Sequence, residues 1–417
     1  MNKLFKFTAC SFLAVALAGV VATSCSNDDM GPSIFDTTEY PLDRTKQTFP
    51  LDTFCKVNFL EPYNLKYMYL MEDKGSNMDY NLIPCSYDQS ITLAVLCKYL
   101  WYDVYKDSVD NGLIFLKKYS PRIIHVIGSP AYNPVQGTME LGTAEGGLKI
   151  TLYNANSMSP NDISYMNEYF FKTMHHEFSH ILHQNINYPT DFNLISRGRY
   201  EIQTWNDTPD SVCLGRGFVS PYASSQPRED WVEIIANYIV KDTITWNHML
   251  NTASFEWEIA DDVDAAYWKK LDAQAKAGMI NRDSVGYYLK TSSTSGTTDA
   301  TYSIVRKSIQ RDADNKYAVT DEDGNIVFIH PSGQDGRTTI LQKLAMAKEW
   351  LLKNYNYDLD KVRMGVQRRQ WLTDANGNFV FDANGDFINN LTYTRADGTT
   401  VLDSLRQQVL KFKELQK

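Results

Sequence analysis

A chain of 417 residues, 43% hydrophobic and 22% charged, is long and apolar enough to bury a sizeable core over one or two subdomains. Its net charge of −9, with no basic tract, argues against nucleic acid as a partner. Beyond the first 25 residues no window is long and apolar enough to cross a bilayer, so any membrane contact would have to come through an anchor.

Residues 1–24 read as a targeting segment rather than as fold. Lys3 and Lys6 give a basic start, and residues 7–22 form an apolar run too short for a stable span. The run ends in Ala22-Thr23-Ser24-Cys25, which resembles a lipobox and implies cleavage before Cys25 and lipidation on it; Ala22 stands where the pattern prefers Leu. The following Ser26-Asn27-Asp28-Asp29 resembles the export signal of surface lipoproteins in Bacteroides-like bacteria. An ordinary secretory signal with an incidental Cys is the plainer alternative. Residues 25–45, polar and carrying Pro32 and Pro41, are expected to be a tether. Cys55, Cys85, Cys97 and Cys213 then remain; none forms a C-x-x-C pair, so a cysteine zinc site is not expected. An envelope address would permit disulfides, but sequence does not give their pairing.

Residues 86–108 carry Ile91, Val95, Leu96, Tyr99 and Val104 at a helical period and predict an amphipathic helix. Residues 122–127, after Pro121 and before Gly128, predict a strand in which His125 is a packed residue. Residues 146–153 predict a second strand. Capping residues at 159–162 then open a helix running to about residue 184, with Phe170, Met174, Phe178, Ile181 and Leu182 at helical spacing.

That helix carries His176-Glu177-Phe178-Ser179-His180, an H-E-x-x-H pattern. Residues four apart share a helix face, so His176 and His180 can bind one Zn²⁺ at about 2.0–2.1 Å each. Glu177 sits roughly 100° around the helix from His176 and can take a proton from a water on the metal. His183 shares the face but lies roughly 10 Å along the axis from His176, too far for one straight helix to wrap all three around one ion. His183 and His175 are therefore expected to flank the site. The longer pattern H-E-x-x-H-x-x-G-x-x-H is absent, since His183 stands at its Gly and Ile186 at its last His.

A third ligand must come from further on. Residues 185–220 are rich in loop formers, and Pro227 then opens a helix to residue 240. Glu229, Val232, Glu233, Ala236 and Val240 share one of its faces. Two carboxylates on a mostly apolar face need partners, because unpaired charge is costly to bury. One Glu on zinc and the other supporting a ligand His would satisfy both; a solvated helix start is the alternative.

H-E-x-x-H followed about 50 residues on by E-x-x-x-E resembles the gluzincins and, locally, the lethal-factor-type peptidases. The resemblance implies Glu229 as third zinc ligand, Glu233 as the residue that orients a ligand His, and Tyr222 as a stabiliser of the oxyanion. Glu233 as ligand remains the alternative. In zincins an edge strand lines the cleft, which would be the role of residues 146–153. More broadly, the lipobox start, the helix before Pro121, residues 176–184 and Glu229-Asp230-Trp231-Val232-Glu233 resemble the zinc-binding metallopeptidase lipoproteins of Bacteroidetes, also called substrate import-associated zinc metallohydrolase lipoproteins. Residues 338–355 and 358–363 share the resemblance. It implies a Zn²⁺ cofactor, an outer-membrane lipoprotein on the cell surface or the periplasmic face, and an importer of the SusC/SusD kind as neighbour.

The expected fold is α+β and zincin-like: a small mixed sheet, the H-E-x-x-H helix, and a largely helical C-terminal part carrying β-hairpin insertions. The catalytic core is expected over residues 46–260, with residues 261–417 packed on it. Within the latter, residues 262–290 predict helix, 291–300 a low-complexity mobile loop, and 402–417 a charged terminal helix. Asp321-Glu-Asp-Gly, Asp374-Ala-Asn-Gly and Asp382-Ala-Asn-Gly predict hairpin turns; Phe379 and Phe387 stand where a calcium loop needs Gly. The expected activity is a lipid-anchored zinc metallohydrolase acting on peptide or other amide bonds, with Glu177 as general base. The main rival is an importer-associated glycan- or peptide-binding lipoprotein with a structural zinc. A second is a hydrolase of a non-peptide amide such as a cell-wall bond.

Overall fold

The structure is a computed structural model that describes residues 42–71, 81–132, 139–140, 142–145, 149–260, 286–290, 302–310, 312–313 and 319–416. The chain divides into two units, residues 1–46 and 47–417; the expected targeting segment and most of the expected tether lie outside the described residues. In chain order the first strands are β1 (Lys66–Met68), β2 (Ile123–Val126), β3 (Ala131–Tyr132), β4 (Met139–Glu140), β5 (Gly142–Glu145) and β6 (Lys149–Leu152). β1, β2 and β6 run parallel, and β5 closes the edge antiparallel to β6. Ile124 pairs with Ile150 at the middle of the sheet, and both are fully buried, as suits β-branched residues on a covered parallel sheet.

The strand expected at residues 146–153 is thus β6, and it is internal. β5, with Gly142 opposite Leu152 and Thr143 opposite Thr151, occupies its second side and forms the edge. The sequence signal failed here because the short Gly-Thr-Ala-Glu run of β5 carries almost no β-forming character.

The helices begin with α1 (Phe49–Cys55), α2 (Tyr87–Cys97) and α3 (Gly112–Tyr119). α2 continues through a π-helical turn, Lys98–Tyr102, to Ser108. It was expected to be amphipathic, yet every residue from Ser90 to Cys97 is buried. Three neighbours cover it: the Tyr67 hydroxyl donates to the Ser90 carbonyl at 3.1 Å, Cys97 Sγ lies 3.7 Å from Met174 Sδ, and Arg406 pairs with Asp88. All four described cysteines are free thiols, and Cys85, Cys97 and Cys213 are buried.

Asp162, extended and accepting from the Tyr165 N–H at 2.9 Å, caps the next helix. It runs from Ile163 through a π-helical turn, Asn167–Phe171, into α4 (Lys172–Asn185), which carries the H-E-x-x-H pattern. Phe170, Phe171, Met174, Phe178 and Leu182 are fully buried. α5 (Pro227–Val240) packs along α4, with Pro227 at the first helical turn. α6 (Thr243–Ala253) follows, capped by Asp242.

Residues 286–290, expected in a helix, form β8 (Gly286–Lys290) in a three-stranded antiparallel sheet with β7 (Trp257–Ala260) and the central β9 (Tyr302–Lys307). A Gly start and paired tyrosines favour strand over helix. The rest of the expected helix, 262–285, and the loop 291–300 lie outside the described residues.

The C-terminal helices are α7 (Gly336–Tyr355), α8 (Leu359–Gln370) and α9 (Val401–Leu410), the last followed by a 3₁₀ segment to Gln416. The start of α7 passes so close to the backbone that a Cβ on Gly336 would lie 2.3 Å from the Leu214 carbonyl oxygen; only Gly fits there. At Asp321, Asp374 and Asp382 the chain reverses with Gly324, Gly377 and Gly385 at φ 84°, 82° and 87°. In each turn the leading Asp carboxylate accepts backbone N–H groups two and four residues on. Among the described residues no helix is long and apolar enough to cross a membrane.

α5 and α7 are joined by a buried ion pair, Asp230–Lys343, 2.7 Å apart with both side chains 1% exposed. Lys343 also donates to the Gly217 carbonyl at 2.7 Å, and Tyr200 donates to Asp230 at 2.9 Å. Burial pushes the Asp230 carboxyl up and the Lys343 ammonium down, each held back partly by the other. Removing one partner leaves an uncompensated buried charge, so Lys343→Met should destabilise the fold by about 3–5 kcal/mol in urea unfolding. The double variant Lys343→Met/Asp230→Asn should lose clearly less than the sum of the two single losses; additive losses would refute the coupling.

Candidate metal centre

α4 presents His176, Glu177 and His180 towards α5, while its other side buries Phe178 and Leu182 in the core. α5 answers with Glu229 in its first turn and Glu233 one turn on. The donors converge. His176 Nε2 and His180 Nε2 each lie 3.1 Å from Glu229 Oε2 and 3.2 Å from one another. One ion bonded at about 2.0–2.1 Å in tetrahedral array asks for donors roughly 3.3–3.4 Å apart, so the triangle needs to open by only a few tenths of an ångström. Among the described residues these three side chains form the one such cluster, and no fourth His, Cys, Asp or Glu joins it.

Glu233 does not enter the triangle. Its Oε1 lies 2.8 Å from His176 Nδ1, on the far side of the ring from Glu229. Its Oε2 accepts from Ser220 Oγ at 2.6 Å and from Asn237 Nδ2 at 3.0 Å. Both oxygens are thus engaged away from the donor point. A carboxylate on Nδ1 fixes that nitrogen as the N–H and leaves Nε2 with its lone pair, the form a metal needs. Gln226 Nε2 reaches Glu229 Oε1 at 3.3 Å and steadies the other carboxylate.

The electrostatics call for a cation. Burial works against a charged His176, but Glu229 and Glu233 outweigh it and lift the imidazole to about 10. Burial likewise works against ionised Glu233, and Lys172 together with His176 brings it down to about 2. Glu229 is held below the usual carboxylate range by the two histidines. Two carboxylates and two imidazoles in a dry cleft are balanced by one divalent ion better than by a shared proton, so the donor set fits a metal. Glu177, beside them, is pushed up by burial, against the pull of the two histidines.

The Tyr222 ring lies 5.8 Å from that of His176, and Trp205 packs edge-on against Tyr222 at 5.0 Å. Burial and the charges of Glu229 and Glu177 push the Tyr222 hydroxyl up, so it stays protonated and can donate. His175 points away into the core, its Nδ1 2.9 Å from the Tyr105 hydroxyl, and burial holds it at about 3. His183 touches His180 rather than the donor point, Nε2 to Nδ1 at 2.8 Å.

The structure therefore brings His176, His180, Glu229, Glu177, Glu233 and Tyr222 close together; Cys25 lies outside the described residues. Ser220 and Asn237 were missed. Asn237 is one turn after Glu233 and could have been found by that spacing, whereas Ser220 reaches in from a loop with no local signal.

Two histidines and a glutamate meeting at one point between buried helices define a candidate centre for a single metal ion. The chain belongs to the family described as "Putative zinc-binding metallo-peptidase", which matches residues 44–360. It is similar to a crystal structure of the same description from Bacteroides caccae, with 29% identity, 78% of this chain and 93% of that chain covered, and a TM-score of 0.52. No curated protein matches the chain.

The geometry separates the two glutamates. Glu229→Ala should abolish stoichiometric zinc binding, as should His176→Ala. Glu233→Ala should retain the donor triangle and weaken zinc by about 10–100-fold. Equal and complete loss in the two glutamate variants, measured by chelator competition, would remove the distinction drawn here.

Proposed function

We propose that this chain is a zinc metallohydrolase with a zincin-like fold, a peptidase acting on peptide or other amide bonds. The observation that carries the reading is the three-donor cluster, which no fourth protein donor joins among the described residues, beside a buried carboxylate. Closed four-ligand sites are structural, and open three-ligand sites leave a position for chemistry. The rival reading, an accessory binding protein with a structural zinc, needs a fourth ligand, and neither His175 nor His183 supplies one.

His176, His180 and Glu229 would hold the zinc. When bound, the ion supplies a Lewis acid that polarises the amide carbonyl and makes water acidic near neutral pH. Glu233, gripped by Ser220 and Asn237, keeps His176 in the ligating tautomer. Glu177 takes the proton of the attacking water and returns it to the leaving amine. Its burial raises its proton affinity towards that of a useful base. Tyr222 donates its hydroxyl hydrogen to the carbonyl oxygen as negative charge develops there, a contribution of the order of 10²–10³ in rate for one such donor. Tyr222 and Trp205 also give the margin of the site an aromatic face suited to an apolar side chain of the substrate.

The reading extends to the cellular address. The lipobox-like Ala22-Thr23-Ser24-Cys25 supports a lipid anchor at Cys25 in the outer membrane, and the family resemblance supports an importer of the SusC/SusD kind as partner. In cells fed a labelled fatty acid the full-length chain should incorporate label and Cys25→Ala should not. Equal labelling of the two would exclude Cys25.

Glu177→Ala should keep stoichiometric zinc and lose about 10²–10⁴ in turnover. The assay is digestion of a proteome-derived peptide library with and without chelator, scored by mass spectrometry. Turnover unchanged in Glu177→Ala, or native digestion insensitive to the chelator, would falsify the mechanism.

A further inference from the structure

His183 has a place in the site that a ligand count overlooks. It is three residues after His180 on α4, a spacing that puts the two side chains side by side on one face. The ring nitrogens His180 Nδ1 and His183 Nε2 are 2.8 Å apart, a hydrogen-bond distance. His183 is 4% exposed. Its ring meets that of Tyr188 edge-on at 5.5 Å, and Tyr188 stacks at 5.0 Å on Trp231 of α5. The Tyr188 hydroxyl donates to Asn193 Oδ1 at 3.1 Å, which fixes that ring in turn. His183 thus lies between the ring of His180 and that of Tyr188, which is itself held by Trp231 and Asn193.

Two imidazole nitrogens at this distance share one proton, and its location is decided by what His180 does with its other nitrogen. A neutral imidazole has one N–H and one lone pair. His180 Nε2 points at Glu229 and His176 Nε2, at 3.1 and 3.2 Å. For that nitrogen to bind a metal it must keep its lone pair, so Nδ1 must carry the hydrogen and His183 Nε2 must accept it. The opposite placement, with the hydrogen on His183 Nε2, would put an N–H of His180 into the donor point. Neither ligand histidine is therefore free to choose its tautomer. Glu233 fixes His176 through a carboxylate, and the ring of His183 occupies the equivalent position on His180.

We propose that His183 is a positioning residue for the metal centre: it accepts the Nδ1 hydrogen of His180, selects the ligating tautomer and fixes the ring plane. The inference rests on the reading of the site as a zinc centre. It also explains why the third histidine of H-E-x-x-H-x-x-H is not a fourth ligand, since its accepting nitrogen is already used on the side of His180 away from the cluster.

The test compares the native chain with His183→Leu, which fills similar space without an acceptor, and His183→Gln, whose terminal amide oxygen can take the place of Nε2. Zinc affinity is read by chelator competition, ligand geometry by the visible spectrum of the cobalt-substituted protein, and packing by thermal unfolding in excess chelator. His183→Leu should bind zinc about 10–100-fold more weakly and shift the cobalt spectrum. His183→Gln should stay within a few-fold of native on both readouts, whatever the two variants do to metal-free stability. Native affinity in His183→Leu, or equal loss in His183→Gln and His183→Leu, overturns the proposal. If the native chain takes up no zinc, the reading of the whole centre falls and this inference with it; if the native chain binds and His183→Leu binds equally well, only the role of His183 falls.

Discussion

Two helices that bury charge on their facing sides can pack only if each charge finds a partner across the contact. That constraint governs α4 and α5. His176 is met on one nitrogen by Glu229 and on the other by Glu233. The i, i+4 spacing of the two glutamates puts them just over one helical turn, about 6 Å, apart along α5. The span is enough to straddle a single imidazole ring, with one carboxylate on each nitrogen. E-x-x-x-E on one helix and H-E-x-x-H on the other are therefore complementary halves of one arrangement, and slipping either helix by a residue would leave at least one carboxylate buried and unpaired. The cost of that is several kcal/mol. The register of the two helices and the geometry of the centre are set by the same interaction.

Polar support then spreads outward until it reaches solvent or a larger charge. Glu233 is held by Ser220 and Asn237 and lies in the field of Lys172, which pairs with Glu168, and Glu168 pairs with Lys241. Next to Glu229, Asp230 turns the other way and spends its charge on Lys343. Adjacent acidic residues at the start of α5 thus serve different ends, one facing the metal donors and one tying α5 to α7. This division explains how a helix start with two consecutive acidic residues is buried at all, since each carboxylate meets opposite charge or hydrogen-bond donors within about 3 Å.

How much of this was legible in the sequence depended on whether a feature is local. His176, Glu177 and His180 are separated by less than a helical turn or one turn, so their shared cluster follows from helix geometry alone. Glu229 and Glu233 stood out because two charges on an apolar face demand an explanation. The partner of His180 was legible only as a spacing: axial distance argued against His183 at the donor point, while its contact with the ring of His180 depends on rotamers that no period encodes. Ser220 was not legible, because nothing in a loop announces which carboxylate it will reach. β5 and β8 failed for another reason. Gly142-Thr-Ala-Glu and Gly286-Tyr-Tyr-Leu-Lys become strands through their neighbours, β6 and β9, and not through their own periodicity. The same applies to α2, where the burial of every residue from Ser90 to Cys97 is imposed by the elements packed on it.

The C-terminal residues help to hold α4 in place and do not only cover the outside of the fold. α4 carries polar side chains where a core helix would carry apolar ones, so its position needs more than hydrophobic contact to fix it. Tyr355, at the end of α7, donates its hydroxyl hydrogen at 2.6 Å to the Leu182 carbonyl, which also accepts the Ile186 N–H at 3.1 Å at the C-terminal end of α4. Tyr357 meets Tyr105 at 3.2 Å, and Tyr105 meets His175 at 2.9 Å, a buried chain that ends on the residue just before His176. His175 thus faces the aromatic core while His176, next to it, faces the cluster. A ring anchored on each side of the backbone limits rotation of α4 about its own axis. The buried cluster that contains these contacts draws on residues from Leu51 to Val409. α7 and α8 are therefore part of what keeps two imidazoles and a carboxylate within about 3 Å of one another.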